Sequence, residues 1–519
     1  MINPYEMKQS IEKSRELRER FLADPFRPGY HFVPPEDKAS PGDPNCAFYA
    51  NGRYHLMYLY ECVSDGYRFG HLSSLDLLHW RVHPDALLPD ELDGGIFSGG
   101  AFVDDDGTAY LAYWSLPVCG NTTWRHENPF RRNAGGIRLA YSRDIENHYT
   151  KWEKMPEMAI RDTEFGVTIC LDDKGNEVVV GGADPSNIWK DNGRYYMQTG
   201  NLLVLNQFRD KVDAPKTMLG DHTDLFCSED LKSWKYCHRF YDRREDNCWT
   251  DESEDDMCPV FFPLPASEDG GAPTDRYLQL FIAHNKGCQY YIGEYDREAQ
   301  HFIPEQHGRM SWKDNTFFAP EALVGPDGRL IMWAWLLDNP PGEDVLGWSG
   351  VYGVPRSLWL NAAGGLGIAP IQELDRLEYN HRCNTLDGVS RDSCRLRLRF
   401  SITNGKAGVT LFASENGETC VKVYYDADLK ELVFDTTVSD SLCRRECERA
   451  PLTLQENETL ELDIFVDRSV VDVFANKRQA ITRRVCSPQY AKGKITLLTE
   501  GDGALIDLKA SDMMPTNPY

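Results

Sequence analysis

The feature that most constrains this chain is a recurring unit, a short run of β-forming residues, a Gly-containing polar tip and a second run, repeated from about Arg27 onward at intervals of roughly 8–15 residues. The tips include Asn51-Gly52, Asp106-Gly107, Lys174-Gly175, Asn192-Gly193 and Asp327-Gly328. Such residues tolerate the positive φ that tight hairpins require. A second element also recurs: Asp76-Leu77-Leu78-His79-Trp80 and Asp230-Leu231-Lys232-Ser233-Trp234 share one Asp-Leu-x-x-Trp turn, and Arg143-Asp144 to Trp152 reads as a longer version. Repetition of strand, tip and strand predicts four-stranded blades around an axis, a β-propeller; an ordinary antiparallel sandwich uses the same turns, and the turns alone do not separate the two.

The flanks read differently. Pro4 to Ala23 is predicted to form one charged amphipathic helix that ends before Pro25. After Pro370-Ile371-Gln372-Glu373-Leu374 the chain becomes more alternating. Eight strands are expected there: Cys394–Ile402, Gly408–Ala413, Cys420–Tyr425, Leu432–Asp435, Leu460–Val466, Val470–Phe474, Ala480–Val485 and Gly493–Leu498. Leu460-Glu461-Leu462-Asp463-Ile464 alternates cleanly, which marks a strand with one wet face and points to a β-sandwich. The expected organisation is a helical extension over 1–26, a propeller over 27–372 and a sandwich over 373–519.

Charge narrows the partners. With 56 basic and 81 acidic residues the chain carries −25, which argues against nucleic acid and anionic membrane surfaces. No apolar run approaches a membrane span, and Met1 to Leu22 lacks the apolar core of a secretory signal. Fifteen scattered Cys fit reduced thiols better than a disulfide framework, so a cytoplasmic location is expected. The closest pair, Cys443 and Cys447, has no clustered His, and neither a metal nor a cofactor is expected. The sequons at Asn121 and Asn457 carry no weight without a secretory route. The oligomeric state stays open, with the N-terminal helix and the sandwich as candidate surfaces for a homo-oligomer.

Three segments set acids beside rigid or turn-forming residues. In Pro41-Gly42-Asp43-Pro44-Asn45, Pro44 biases Asp43 away from helix and is expected to hold it on a turn just before the strand Ala47–Tyr49. A carboxylate so fixed suits a nucleophile, and an Asp-Pro turn is equally a structural device. Asp184, in Gly182-Ala183-Asp184-Pro185, repeats the arrangement, and an acidic run from Asp251 to Asp256 precedes Cys258-Pro259. Acids at equivalent ends of successive blades would converge on one axial funnel.

These residues, taken in order, resemble glycoside hydrolase family 32, the invertase, levanase and inulinase group, over most of the chain. Tyr30-His31-Phe32 to Asn45 resembles its opening His-Phe and Asn-Asp-Pro-Asn-Gly motifs, and Asp76 to Trp80 with Ala86-Leu87-Leu88-Pro89 its Asp-Leu-x-His-Trp and Ala-Leu-x-Pro turn. Phe97-Ser98-Gly99-Gly100 resembles Phe-Ser-Gly-Ser, and Ala183-Asp184-Pro185 resembles Arg-Asp-Pro. Phe318-Ala319-Pro320-Glu321, Gly347-Trp348-Ser349-Gly350 and Pro355-Arg356 resemble the last blade, and Phe465 to Asn476 the signature strand pair of the sandwich.

The resemblance implies an all-β chain, a five-bladed propeller joined to a β-sandwich, that cleaves β-fructofuranosidic bonds with retention and takes a small carbohydrate as its partner. It implies that Asp43 attacks the anomeric carbon, Asp184 stabilises the oxocarbenium-like transition state, and a Glu protonates the leaving oxygen. Where the family places that Glu, in Glu-Cys-Pro, this chain has Met257. A divergent form, Glu-Asp-x-x-Cys-Pro, fits with Glu254 as the acid, ahead of Glu252, Asp255 and Asp256. Ala183 replaces an Arg, Cys46 a Gly, Ser40 a Trp and Glu61 a Gln, so sugar recognition is expected to differ from that of sucrose cleavers. The candidate sugar contacts are Asn45, Glu61, Phe97, Ser98, Trp114, His284 and Trp312, with Arg356 read as a structural ion-pair partner. Two other readings stay open: transfer to a sugar acceptor or difructose dianhydride chemistry at the same site, and a non-catalytic sugar-binding propeller motivated by Met257. The family 43 arabinosidase and xylosidase group, which shares the propeller, is disfavoured by the sandwich signature.

Overall fold

A computed structural model describes residues 4–35, 40–62, 66–117, 135–163, 166–208, 213–242, 249–337 and 350–517. Asn121 and Gly347-Trp348-Ser349 lie outside the described residues. The predicted N-terminal helix spans Pro4–Ala23 and is exposed along most of its length. Its last turn buries Phe21, over whose ring the Arg27 guanidinium lies at 3.8 Å. Among the described residues no helix is long and apolar enough to cross a membrane.

The chain divides into two compact units, one made of Ser40–Leu337 with Pro355–Ile371, the other of Met1–Ala39, Asp338–Val354 and Gln372–Tyr519. The first is built from successive antiparallel sheets. Strands β1 (Ser40–Ala50), β2 (Arg53–Cys62), β3 (Gly66–Ser74) and β4 (Trp80–Leu87) form one, in that spatial order. Strands β5 (Gly95–Val103), β6 (Ala109–Leu116), β7 (Gly136–Ser142) and β8 (Glu153–Arg161) form the next. A separate hairpin of β9 (Val167–Leu171) and β10 (Glu177–Gly181) precedes a sheet of β11 (Ala183–Pro185), β12 (Trp189–Asp191), β13 (Arg194–Gly200), β14 (His222–Ser228) and β15 (Trp234–Asp242). Two further meanders follow: β16 (Met257–Pro265), β17 (Pro273–Ala283), β18 (Gly287–Asp296) and β19 (His301–Arg309), then β20 (Phe317–Val324), β21 (Leu330–Leu336), β22 (Arg356–Leu360) and β23 (Leu366–Pro370). All of the larger sheets but the third connect neighbour to neighbour, as the hairpin tips predict, and in the third β11 and β12 both pair with β13; Asn51 and Gly52 adopt φ of 47° and 74° between β1 and β2.

One local expectation is corrected. Asp43 does not precede its strand on a turn but lies within β1, beside breaks in register at Pro41/Pro44 and Asn45/Phe48. β1 is an edge strand paired only with β2, so Pro44, which has no N–H to give, is tolerated there as a bulge.

Side chains between sheets fill the core. Phe48, Met57, Phe69, Ile96, Leu111 and Tyr113 form one buried cluster, and Phe240, Phe261, Phe281, Tyr291 and Phe302 another. A polar seam crosses the first sheet, where His55 Nδ1 lies 3.0 Å from His71 Nε2 and Ser73 Oγ lies 2.7 Å from His83 Nε2.

The other unit holds two sheets. One is ordered Glu378–Cys383, Ala504–Met513, Ser393–Ser401, Leu460–Asp467, Val470–Ala475, Gln479–Arg484; the second is ordered Cys447–Pro451, Glu431–Asp435, Val421–Asp426, Gly405–Ala413, Lys494–Gly501. The eight expected strands are present within a few residues, and Glu378–Cys383, Cys447–Pro451 and Ala504–Met513 join them. Ala504–Met513 escapes a hydrophobicity reading because Asp507, Lys509, Ser511 and Asp512 interrupt it, yet it pairs on both sides. In this same unit the N–H groups of Gly29, Tyr30 and His31 donate to the Asp467 carboxylate at 2.7, 2.7 and 2.8 Å. The His31 ring bridges Asp467 at 2.9 Å and Asp472 at 2.6 Å. Burial alone would lower the His31 pKa, but the two carboxylates outweigh it and lift the group to about 9. The described residues are all-β apart from the N-terminal helix and short helical segments, consistent with a propeller followed by a sandwich.

Candidate active site

The leading strand of each of the five larger sheets in the first unit is irregular. Register breaks fall at Asn45/Phe48 in β1, Phe97/Gly99 in β5, Ala183/Pro185 in β11, Met257/Val260 in β16 and Phe318/Glu321 in β20. Cys46, Asp184, Asp256, Cys258 and Ala319, at or beside these breaks, have positive φ between 42° and 50°. A bulge re-aims side chains that a regular pleat would alternate, and non-Gly residues in this region carry strain.

The re-aimed side chains meet. Asp43 is buried, and its Oδ2 accepts a 2.5 Å hydrogen bond from the Ser98 hydroxyl on β5. The Cys258 thiol, on β16, lies 3.5 Å from Asp184 Oδ2 and 3.9 Å from Asp43 Oδ2, so it donates between the two carboxyl groups. Burial pushes the Asp43 pKa up, opposed by the Ser98 hydroxyl and by the charge of His284. Burial, then the Asp43 charge, lifts Asp184 to about 7. Burial and both neighbouring carboxylates drive the Cys258 pKa well above the ordinary thiol value, which keeps it a protonated donor.

Side chain to backbone staples fix the strands that carry this pair. Asn45 donates from Nδ2 to the Asp43 carbonyl at 2.9 Å and accepts the Gly99 N–H at 2.9 Å, joining β1 to β5. Asn187 accepts the Phe261 N–H at 2.9 Å and donates to its carbonyl at 3.0 Å, joining the loop after Asp184 to β16. Glu321 accepts backbone N–H groups of Cys46 and Ala47, joining β20 to β1, and burial lifts its pKa to about 8. The Gly99-Gly100 pair has a steric cause: a Cβ on Gly100 would sit 2.2 Å from the Asn187 nitrogen, so only glycine lets β5 approach the Asp184 loop.

Of the expected sugar contacts, Ser98 reaches the Asp43 carboxyl and Asn45 the Asp43 main-chain carbonyl. Phe97 sits edge-on to Tyr67 at 5.0 Å and to Trp114 at 5.6 Å, and the Trp114 indole serves the buried Asp162 carboxyl. Glu61 is buried in β2, and Trp312 is half-buried between β19 and β20. His284 is clasped by Asp255, with its backbone N–H at 3.1 Å and its Nδ1 at 2.5 Å from the two carboxylate oxygens. Arg356 stacks its guanidinium over Phe317 at 4.0 Å.

Glu254 is anchored at the start of β18. Fully buried, it accepts Gln289 Nε2 at 2.8 Å and a very short contact from Lys286 Nζ. Burial raises its pKa above the ordinary glutamate value against the pull of Lys286 and Gln289. Met257 is a core residue whose sulfur lies against Gly200. Cys258, Asn187 and Glu321 were given no site role from sequence, and Asp255 only that of an alternative acid to Glu254; register breaks beside Cys258 and Glu321 bring those two inward. Among the described residues no group of three or more His, Cys, Asp or Glu is arranged to hold a metal ion.

Two family descriptions match the chain: the glycosyl hydrolases family 32 N-terminal domain over residues 31–370 and the family 32 C-terminal domain over residues 372–512. A levanase of Bacillus subtilis is 27% identical over 512 residues, covering 91% of this chain and 68% of that protein. A probable sucrose-6-phosphate hydrolase of Psychromonas ingrahamii is 29% identical over 477 residues, covering 88% of this chain and 76% of that protein. Fructan 1-exohydrolase IIa of Cichorium intybus has a similar fold, with a TM-score of 0.76 at 18% identity over 95% of this chain and 98% of that one. The chain therefore belongs to glycosyl hydrolase family 32 and is a glycosidase.

Proposed function

We propose that the protein cleaves β-D-fructofuranosidic bonds in small fructosides or fructan oligosaccharides with retention, through a fructosyl-enzyme intermediate. The observation that carries this reading is the buried pair Asp43 and Asp184, bridged by the Cys258 thiol and seated on bulged leading strands. In it Asp43 attacks the anomeric carbon, with Ser98 and Cys258 stabilising the carboxylate as it desolvates. Asp184 lies beside the same carbon and supports the developing positive charge, a role that needs its ionised form. The five larger sheets from β1 to β23 are the blades of a propeller, and their leading strands line its funnel. Motif position nominates Glu254 as proton donor, and its raised pKa suits that role. Its burial against Lys286 does not, since a donor must reach the leaving oxygen.

The test is turnover of sucrose, inulo- and levan-oligosaccharides and difructose dianhydrides, with products identified, for wild type and Asp43→Asn. Release of fructose by wild type and a loss of at least about 10³-fold in the variant is expected. Unchanged release in Asp43→Asn, or no turnover by wild type, would overturn the reading. Products carrying fructose on a second sugar would move the assignment to transfer.

A further inference from the structure

We infer that His284, oriented by Asp255, is the catalytic residue that protonates the leaving oxygen, in the role the family motif gives to the glutamate that Met257 replaces here. The inference rests on the proposed roles of Asp43 and Asp184.

Position is the first argument. The His284 side chain is 33% exposed while that of Asp255 is 2% exposed, so the imidazole opens outward from a buried carboxylate anchor. Glu254, at 0%, shows no such opening. The His284 ring stands edge-on to Phe318 at 5.5 Å, and Phe318 to Trp335 at 6.2 Å. Trp335 in turn lies 3.7 Å from where a Cβ on Gly42 would be, one residue from Asp43. One aromatic wall thus runs from the imidazole to the nucleophile. The charge of His284 bears on both Asp43 and Asp184.

Chemistry is the second. With Nδ1–H committed to Asp255, the proton available for transfer is on Nε2, the same division of labour by which a buried carboxylate fixes a catalytic histidine in other hydrolases. As Asp43 forms its bond to the anomeric carbon and the bond to the leaving oxygen breaks, the Nε2 proton moves to that oxygen and leaves a neutral imidazole. In the second half, the neutral Nε2 takes a proton from water while the water oxygen bonds to the anomeric carbon and Asp43 departs as carboxylate. The imidazolium is restored and no other reactant is needed. The alternatives nearby are less suited. Cys258 holds its proton far too tightly and already donates to the pair, and Asp255 accepts two hydrogen bonds from His284.

A proton donor is needed for a sugar leaving group and not for fluoride, which gives the test. The natural fructoside that wild type turns over best and β-D-fructofuranosyl fluoride are assayed with wild type, His284→Gln, Asp255→Asn and Glu254→Gln. For His284→Gln, kcat/KM is expected to fall about 10²–10⁴-fold on the glycoside and less than about tenfold on the fluoride. Asp255→Asn, a positioning change, is expected to show a smaller loss with the same leaving-group selectivity. A selective loss in Glu254→Gln instead, an unaffected His284→Gln, or equal losses on both substrates in His284→Gln would overturn the inference while leaving the fructosidase reading intact. Failure of wild type on both substrates would overturn that reading and the inference with it.

Discussion

At the scale of single residues, the Asp43 carboxylate is held by the Ser98 hydroxyl, with the Cys258 thiol as a more distant second donor. Ser98 is the only hydroxyl placed on it among the described residues, at 2.5 Å, and it opposes the burial that raises the Asp43 pKa. A hydrogen bond to a charged group contributes roughly 1.5–3 kcal/mol, so Ser98→Ala is expected to lower kcat/KM about 10- to 100-fold at neutral pH. The sign of the pH effect follows. Without Ser98 the folded-state pKa of Asp43 rises further, so the acidic limb of the kcat/KM profile moves to higher pH. A pH–rate profile with an unmoved acidic limb would count against Asp43 as the group that must be ionised. Asp43 and Asp184 were legible as acids set beside a proline, and Asn45 and Ser98 as candidates through motifs that resemble those of the family. Cys258 was not legible as a site residue, and Asp255 was legible only as an alternative acid and not as the partner of His284, since a regular strand through 254–260 would send neighbours to opposite faces and nothing in the residue types announces the bulge.

At the scale of elements, the site is a set of bulges held by staples, and Glu321 is the staple on the strand of the nucleophile. Its folded-state pKa of about 8 lies above the unfolded value, so the folded protein holds an extra proton between roughly pH 4.3 and 8. Stability contributed at this residue therefore declines as pH rises through that window. Glu321→Gln keeps the acceptor oxygen and removes the ionisation. The variant is expected to gain about 1 kcal/mol or more relative to wild type in urea unfolding at pH 8 compared with pH 5. Equal differences at the two pH values would show that the carboxyl is ionised in the fold. The hairpin tips made most strands of the first unit readable, because an Asn-Gly or Asp-Gly tip fixes both partners at once. Ala504–Met513 follows Asp502-Gly503, but it carries charge on a strand buried mainly in its second half, so its pattern resembled a loop.

At the scale of the whole molecule, two histidine systems set opposite pH limits on the two units. Burial holds His55 at about 3 and His83 at about 4, so the first unit keeps them neutral. Its unfolded chain takes up protons as pH falls below about 6.5, and stability is lost from there down to the folded values. His31 works the other way. Its stabilisation is fully present below about 6.5 and is lost as pH rises through 9. Hydrogen exchange is therefore expected to quicken in segment 53–87 near pH 4.5, and in segments 29–32 and 460–475 near pH 9.5. Faster exchange in the same segments at both extremes would contradict the division. The His31 clamp also bears on how the molecule is made. His31 and Asp467 are 436 residues apart in the chain. At ordinary rates of synthesis, the segment around His31 leaves the ribosome about 20–90 s before Asp467 exists to receive it. Every sheet from Ser40 to Pro370 is translated in that interval, so the unit holding the candidate site can close while the opening segment waits for its partner.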